Sequence, residues 1–360
     1  MTSIPPPNPK YQWGVYDSKK NNVAGHVICT FTPENGWSKP EFVESPFLRV
    51  HGLAPGLHYG QQVYEGLQAR RTANNDVLIF RPSSNAKRMA KSAVAVSMPP
   101  VPEKLFLDCV HMAVALNAEY VPPADFSGSL YIRPMQFGSG CQIGLEPPDE
   151  FQFAVFVQPH IAFHGHGALR ALVAEDFDRA ATRGTGNVKV GGNYAPVIRW
   201  SREAKADAKG GWGVLLHVDS KTQTYIDEFS TSGFIGIQGQ IEGVNDGPKV
   251  VIADSPAAID SITSDSVAEL ARSLGWNVEK RLVKLDELIN FTEVLAVGTA
   301  AGLVAVTSIH HKSKGVTWNF SDDMPCYQKL KDTLKGIQCG TTKDPAGWCE
   351  SLRYREFVES

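Results

Sequence analysis

Short apolar runs alternate along the chain with segments in which apolar residues return every three or four positions. The first pattern marks strands and the second amphipathic helices. Runs at 27–31, 76–80, 129–135 and 151–158 predict strands. The last is apolar almost throughout, as in a strand covered on both faces. Pro82 opens a helix in which Ala86, Met89, Ala90 and Ala93 share helical spacing. A second helix is expected over 103–120. Farther on, strands are expected at 168–174, 213–218, 224–229, 234–238, 249–253, 293–297 and 302–309. Helices are expected at 263–274 and 326–337. Ser266 with Glu269 fits a capping box for the first of these, and Gly275 its stop.

This order implies an α/β chain of two mixed domains. Residues 1–165 form a small N-terminal domain, 166–171 a linker, and 172–360 a large C-terminal domain. The expected ligand site is the interdomain cleft. A length of 360 residues suits two cores. Charge narrows the function. A net charge of −3 gives no electrostatic case for nucleic acid or an anionic membrane. No apolar run nears the roughly 20 residues that span a bilayer. The first residues, MTSIPPPNPK, lack a secretory or mitochondrial pattern, so a cytoplasmic protein is expected, with mitochondria left open. Six cysteines without C-x-x-C spacing read as free thiols. His160, His164 and His166 have metal-like spacing but no acidic or cysteine partner nearby, so no metal is expected.

Four stretches carry candidate chemistry. Residues 184–194 read GTGNVKVGGNY, with Lys189 among four glycines and apolar neighbours. Glycines let backbone approach a bound group, and an amine stripped of water has its lone pair free to attack a carbonyl. The bland reading is a surface lysine in a turn. The segment is neither a Walker loop nor a dinucleotide fingerprint. Residues 225–231 read YIDEFST. A carboxylate there could keep a pyridine nitrogen protonated, or simply end a strand in solvent. Alternation puts Asp227 and Glu228 on opposite faces. Residues 298–302 read GTAAG, which is either an anion-binding turn or only a tight turn. Residues 261–264 read SITS at a helix start, where free N–H groups suit phosphate.

Together these stretches resemble the fold-type IV pyridoxal-phosphate enzymes, most closely the branched-chain amino-acid aminotransferases. The resemblance runs from about residue 51 to 348 and includes HYGQQVYEG at 58–66, LYIRP at 130–134, KVGGNYAP at 189–196 and GTA at 298–300. It implies pyridoxal 5′-phosphate held as a Schiff base on Lys189, which also serves as proton shuttle. It implies Tyr194 near the phenolic oxygen, Glu228 rather than Asp227 on the ring nitrogen, and Arg88 on the phosphate. Ile262, Thr263 and Thr299 would complete the phosphate site. The resemblance makes Tyr59, Tyr64, Tyr131, Arg133 and Phe163 the substrate pocket, with Thr299 and Ala300 offering N–H groups to the α-carboxylate.

The implied reaction moves amino groups from leucine, isoleucine or valine to 2-oxoglutarate, in a homodimer. Departures lie at Tyr64, where the family often has Phe, at Phe163, near a position often held by Tyr, and at Ser264, which replaces a common arginine. The mammalian C-x-x-C pair is also absent from 301–305. Alternatives are an aminotransferase dedicated to an unusual aliphatic amino acid in a biosynthetic pathway, a D-amino-acid or (R)-amine transaminase, and a catalytically silent ligand-binding relative. Retention of Lys189, Glu228, Tyr194 and Arg88 argues against the last.

Overall fold

A computed structural model describes residues 3–13, 23–161, 168–207, 211–239, 241 and 247–359. The chain divides into two compact units. The first holds Met1–Ile161, Lys189–Gly191 and Gly336–Ser360; the second holds Ala162–Val188 and Gly192–Lys335. The C-terminal residues group with the first unit because strand Cys349–Ser351 pairs antiparallel with Val77–Phe80. Residues 189–191 do so because Val190 bridges to Val63. Each unit is mixed α/β and built on one sheet of nine strands among the described residues.

In the first unit the strands run in the order Cys349–Ser351, Val77–Phe80, Leu67–Arg71, Ser129–Gly138, Phe151–His160, His26–Thr32 and Gly36–Trp37. Glu41–Val43 adds onto His26–Thr32, and Gln62–Tyr64 onto Ser129–Gly138. All pairs are antiparallel. Helices Pro82–Ala95 and Glu103–Ala115 cover a core that includes Val27, Ile79, Met89, Phe106, Ile132 and Phe153, all essentially removed from water. The expected helix over 103–120 stops early, and Ala118–Tyr120 forms only a 3₁₀ turn. The physical reason is Asn117, a buried side chain that does not stay on the helix surface. Its Oδ1 accepts from Ala24 N (2.8 Å) and Gly25 N (3.3 Å), and its Nδ2 donates to Gly25 O (3.2 Å) and Ala113 O (2.8 Å). The helix from Pro82 starts sharply. Arg81 takes a left-handed φ of 49°, Pro82 supplies a preset φ, and Arg81 N–H donates to Trp348 O at 2.7 Å.

The sheet of the second unit runs in the order Ile226–Phe229, Val214–Val218, Leu169–Val173, Gly302–His311, Glu293–Gly298, Gly233–Gln238, Lys249–Ala253 and Asn277–Arg281, with Val316–Asn319 on Gly302–His311. Leu169–Val173 is parallel to both its neighbours, and Lys249–Ala253 is parallel to Asn277–Arg281. Phe229, Phe234, Leu216, Val251 and Val306 form the centre of the core. Helix Ile262–Ser273 starts differently from expectation. The cap is Ser261, whose Oγ accepts from Ser264 N at 3.1 Å. No capping box forms at Ser266, whose hydroxyl already donates to Ile262 O within the helix at 2.8 Å. Gly275 does stop the helix, with φ +78° and its N–H on Arg272 O. Strands Gln62–Tyr64, Leu67–Arg71, Asn277–Arg281, Val316–Asn319 and Cys349–Ser351 carry no clear apolar period and lie outside the expected elements, as does helix Val197–Ala206, although its Val197, Trp200 and Ala204 share helical spacing and pack with Leu172, Trp212 and Leu215. No helix among the described residues is long and apolar enough to cross a membrane.

One turn sets the entry to the strand that bears Asp227 and Glu228. Asp219 Oδ1 accepts from Thr224 N (2.8 Å) and Tyr225 N (2.7 Å), and its Oδ2 accepts from Thr222 N (2.7 Å). Burial pushes this carboxyl up, but the backbone bonds and the Thr222 hydroxyl together outweigh it and hold it below its ordinary value. A carboxylate depressed by folding stabilises the fold above its unfolded pKa and stops doing so as pH falls through its folded pKa. Asp219→Asn is therefore expected to be less stable than the parent at neutral pH, by a margin that narrows at acid pH as the parent's carboxylate is protonated. Urea denaturation at neutral and acid pH checks this; a gap that persists unchanged in acid contradicts it.

Candidate active site

Lys189 lies in a short extended crossing. Val190 bridges to Val63 and so brings this segment alongside strand Gln62–Tyr64. Both peptide groups of Lys189 are held. Its N–H donates to Ser92 Oγ at 2.9 Å, and its carbonyl accepts from Tyr64 N at 3.2 Å. Its side chain extends over the Tyr64 ring, with Nζ 4.8 Å from the centroid. Arg133 Cζ lies 4.9 Å from the same centroid and 5.1 Å from that of Tyr131. Arg133 Nη2 also donates to the Tyr131 hydroxyl at 3.0 Å. That hydroxyl rests against Gly66, where any Cβ would collide with it. Three of the expected pocket residues, Tyr64, Tyr131 and Arg133, therefore gather beside Lys189. Tyr59 stands at the end of helix Pro55–His58, half exposed, with its hydroxyl donating to Ile143 O. Phe163, with His164 and His166, lies outside the described residues.

Arg88 projects from helix Pro82–Ala95, one turn before Ser92. Its guanidinium is taken by Glu65 in a two-point bond, Nε to Oε1 at 2.7 Å and Nη2 to Oε2 at 2.6 Å. The Glu65 side chain is wholly buried, and that of Arg88 is 12% exposed. Glu65 stands inside the stretch that carries the resemblance, but a lone glutamate between Tyr64 and Gly66 does not announce a buried partner. Ser92 was also missed: its hydroxyl donates to Arg88 O at 3.0 Å while accepting from Lys189 N.

In the second unit Glu228 is buried near the end of Ile226–Phe229, and its Oε1 receives Arg179 Nη2 at 2.6 Å. The same Arg179 nitrogen donates to Gly186 O (2.9 Å) and Ala257 O (2.7 Å). Nothing in the run DFDR at 176–179 singles out that arginine. Asp227 is buried too and accepts from the Ser255 hydroxyl; burial pushes its carboxyl up. The adjacent carboxylates therefore have separate partners, as strand alternation requires. Behind them burial, and then the charge of Arg179, push the His217 imidazole down to about 3, so it is neutral, with Nε2 3.1 Å from Ser230 Oγ.

Ile262 and Thr263 form the first turn of their helix, buried against the sheet. A Cβ at Gly233 would stand 2.9 Å from Ser264 Oγ, and one at Gly298 would stand 3.5 Å from Ser232 Cβ. The strand end after Glu228, the helix start and the turn bearing Thr299 and Ala300 are therefore close neighbours. Tyr194 follows the 3₁₀ turn Gly191–Asn193. There Asn193 ties down the glycine-rich stretch by donating to Thr185 O (2.8 Å) and Val188 O (2.9 Å). Among the described residues no three His, Cys, Asp or Glu side chains gather to hold a metal ion.

These donors suit pyridoxal 5′-phosphate. An amine is present for its aldehyde. A buried carboxylate has its own counter-charge for a protonated ring nitrogen. An arginine and a close-packed helix start suit a phosphate. A model of the family described as amino-transferase class IV matches residues 62–309. Aminotransferase TOXF of Cochliobolus carbonum is 67% identical over 97% of this chain and 98% of its own length. Aminotransferase apf4 of Gibberella fujikuroi is 60% identical over 99% and 95%. Among solved structures, the Escherichia coli branched-chain amino acid aminotransferase shares the fold, with TM-score 0.75 and 23% identity over 92% of this chain and all of that one. The chain belongs to the class IV aminotransferases, and pyridoxal 5′-phosphate is its cofactor for exchange between small amino and 2-oxo acids.

Proposed function

We propose that the chain transfers amino groups from branched aliphatic L-amino acids to 2-oxoglutarate. The supporting observation is the group beside Lys189, where the Tyr64 ring lies within 4.9 Å of both Lys189 Nζ and Arg133 Cζ. The aromatic carbon of Tyr64 and Tyr131 left beside these cations would line an aliphatic side chain. Arg133, braced by Tyr131, gives a second carboxylate a counter-charge. One pocket therefore serves an apolar donor and a dicarboxylate acceptor in turn.

When bound, the cofactor supplies an electron sink for the bond broken at the substrate Cα. The protein does the rest. Lys189 Nζ would hold the cofactor covalently and would serve as the base that moves the substrate Cα proton. Glu228, paired with Arg179, would keep the ring nitrogen protonated. Arg88, Ile262, Thr263 and Thr299 would hold the phosphate, and Tyr194 would meet the phenolic oxygen. Thr299 and Ala300 offer N–H groups to the α-carboxylate. Tyr59 and Phe163 belong to the substrate pocket.

A homodimer accompanies this reading. Helix Pro55–His58 and the loop after Cys141 are joined by the Gln142 N to Leu53 O bond (3.1 Å) and by the Tyr59 hydroxyl on Ile143 O. Leu57, Ile143 and Leu145 are 64, 65 and 89% exposed on this face. Such apolar residues clustered beside a pocket tyrosine suit a second copy of the chain.

Two outcomes check the proposal. Arg133→Met is expected to raise KM for 2-oxoglutarate roughly tenfold or more and that for leucine by about twofold at most. Steady-state kinetics decide it: equal losses mean that Arg133 shapes the site without reading a carboxylate. If a donor panel finds leucine, isoleucine and valine inactive beside another good aliphatic donor, the pathway-dedicated reading replaces this one. Leu57→Asp with Leu145→Asp is expected to convert dimers to monomers in analytical ultracentrifugation. A parent chain that sediments as a fully active monomer rules the dimer out.

A further inference from the structure

We propose that Glu65 is a positioning residue for the cofactor phosphate, acting only through Arg88. The proposal rests on the reading of Arg88 as the phosphate arginine and adds what makes that arginine usable. A long, flexible side chain loses rotamer freedom when it binds an anion, and a guanidinium already fixed by two bonds does not lose it again. Glu65 provides that fixation. Its carboxylate is wholly buried, its N–H is bound to Pro134 O at 2.8 Å, and it meets Arg88 at 2.7 and 2.6 Å. The planar guanidinium presents more than one donor edge. Glu65 takes the edge made by Nε and Nη2, which sets the direction in which Nη1 points.

The position of the helix is fixed as well. Ser92 Oγ joins Arg88 O (3.0 Å) to Lys189 N (2.9 Å), and Tyr64, next to Glu65 in sequence, donates to Lys189 O. Glu65, Arg88, Ser92 and Lys189 therefore form one connected frame within the first unit. It sets the guanidinium relative to the lysine backbone. A carboxylate on the guanidinium also competes with phosphate for it, and the sign of the effect of Glu65→Gln separates fixation from competition: fixation weakens phosphate binding when the two-point bond is lost, and competition strengthens it.

The test measures cofactor binding and does not depend on turnover. Pyridoxal 5′-phosphate and pyridoxal, which lacks the phosphate, are titrated into the full-length apo-protein. Binding is read by absorbance for the parent, Glu65→Gln, Arg88→Met and the double variant. Glu65→Gln is expected to weaken the phosphorylated ligand roughly tenfold and to leave pyridoxal within about twofold. The double variant is expected to be no weaker than Arg88→Met alone, since a residue that acts through another adds nothing once that other is gone. Tighter binding of the phosphorylated ligand to Glu65→Gln would overturn the proposal, as would equal loss for both ligands or simple addition in the double variant. If Arg88→Met leaves the ratio between the two ligands unchanged, the reading of Arg88 itself fails. If Arg88→Met collapses that ratio and Glu65→Gln does not, only the role of Glu65 fails. Unaltered pyridoxal binding shows that each variant is folded.

Discussion

The peptide group is a demanding partner: buried N–H and C=O groups must be bonded, wherever the chain goes. Lys189 meets that demand outside any long sheet or helix. Its N–H goes to a serine on one helix and its carbonyl takes a tyrosine N–H from one short strand. The three residues Lys189–Gly191 belong to the first unit, while their chain neighbours on both sides belong to the second. The Lys189 amine therefore starts from a fixed backbone, which a lysine in a free turn would lack. The bridge from Val190 to Val63 holds the next residue as well.

Charge is managed by the same principle. In each unit a buried carboxylate meets an arginine, Glu65 with Arg88 and Glu228 with Arg179. Removing one partner of such a pair leaves an uncompensated charge, at about 3–5 kcal/mol. Both pairs are therefore structural. Arg179 also holds two backbone carbonyls, of Gly186 in the glycine-rich stretch and of Ala257 in the loop ahead of helix Ile262–Ser273. Acting on both, it ties the Glu228 strand to the segments that frame it.

Most strands and long helices were legible because their apolar periods are long and clean, as at Phe151–His160 and Pro82–Ala95. Short strands such as Gln62–Tyr64 have too few residues for a period to appear, and helix ends depend on single side chains. Ser261 rather than Ser266 caps its helix because a hydroxyl one turn inside bonds backward to Ile262 O. Lysine in a glycine-rich run could be singled out by composition, and Glu228 by its strand end. Their partners could not. Arg179, Glu65 and Ser92 have no local signature, since what defines them is a neighbour 49, 23 or 97 residues away. Substrate range is less legible still, because it depends on the shape of a pocket and not on residue types alone.

The central claim is that Lys189 is the amine this architecture prepares for a carbonyl. Borohydride reduction of the protein loaded with pyridoxal 5′-phosphate, followed by peptide mass spectrometry, tests it directly. The account predicts a single reduced adduct on the peptide containing Lys189, and none in Lys189→Ala. An adduct of equal yield on another lysine, or one that survives in Lys189→Ala, would contradict it.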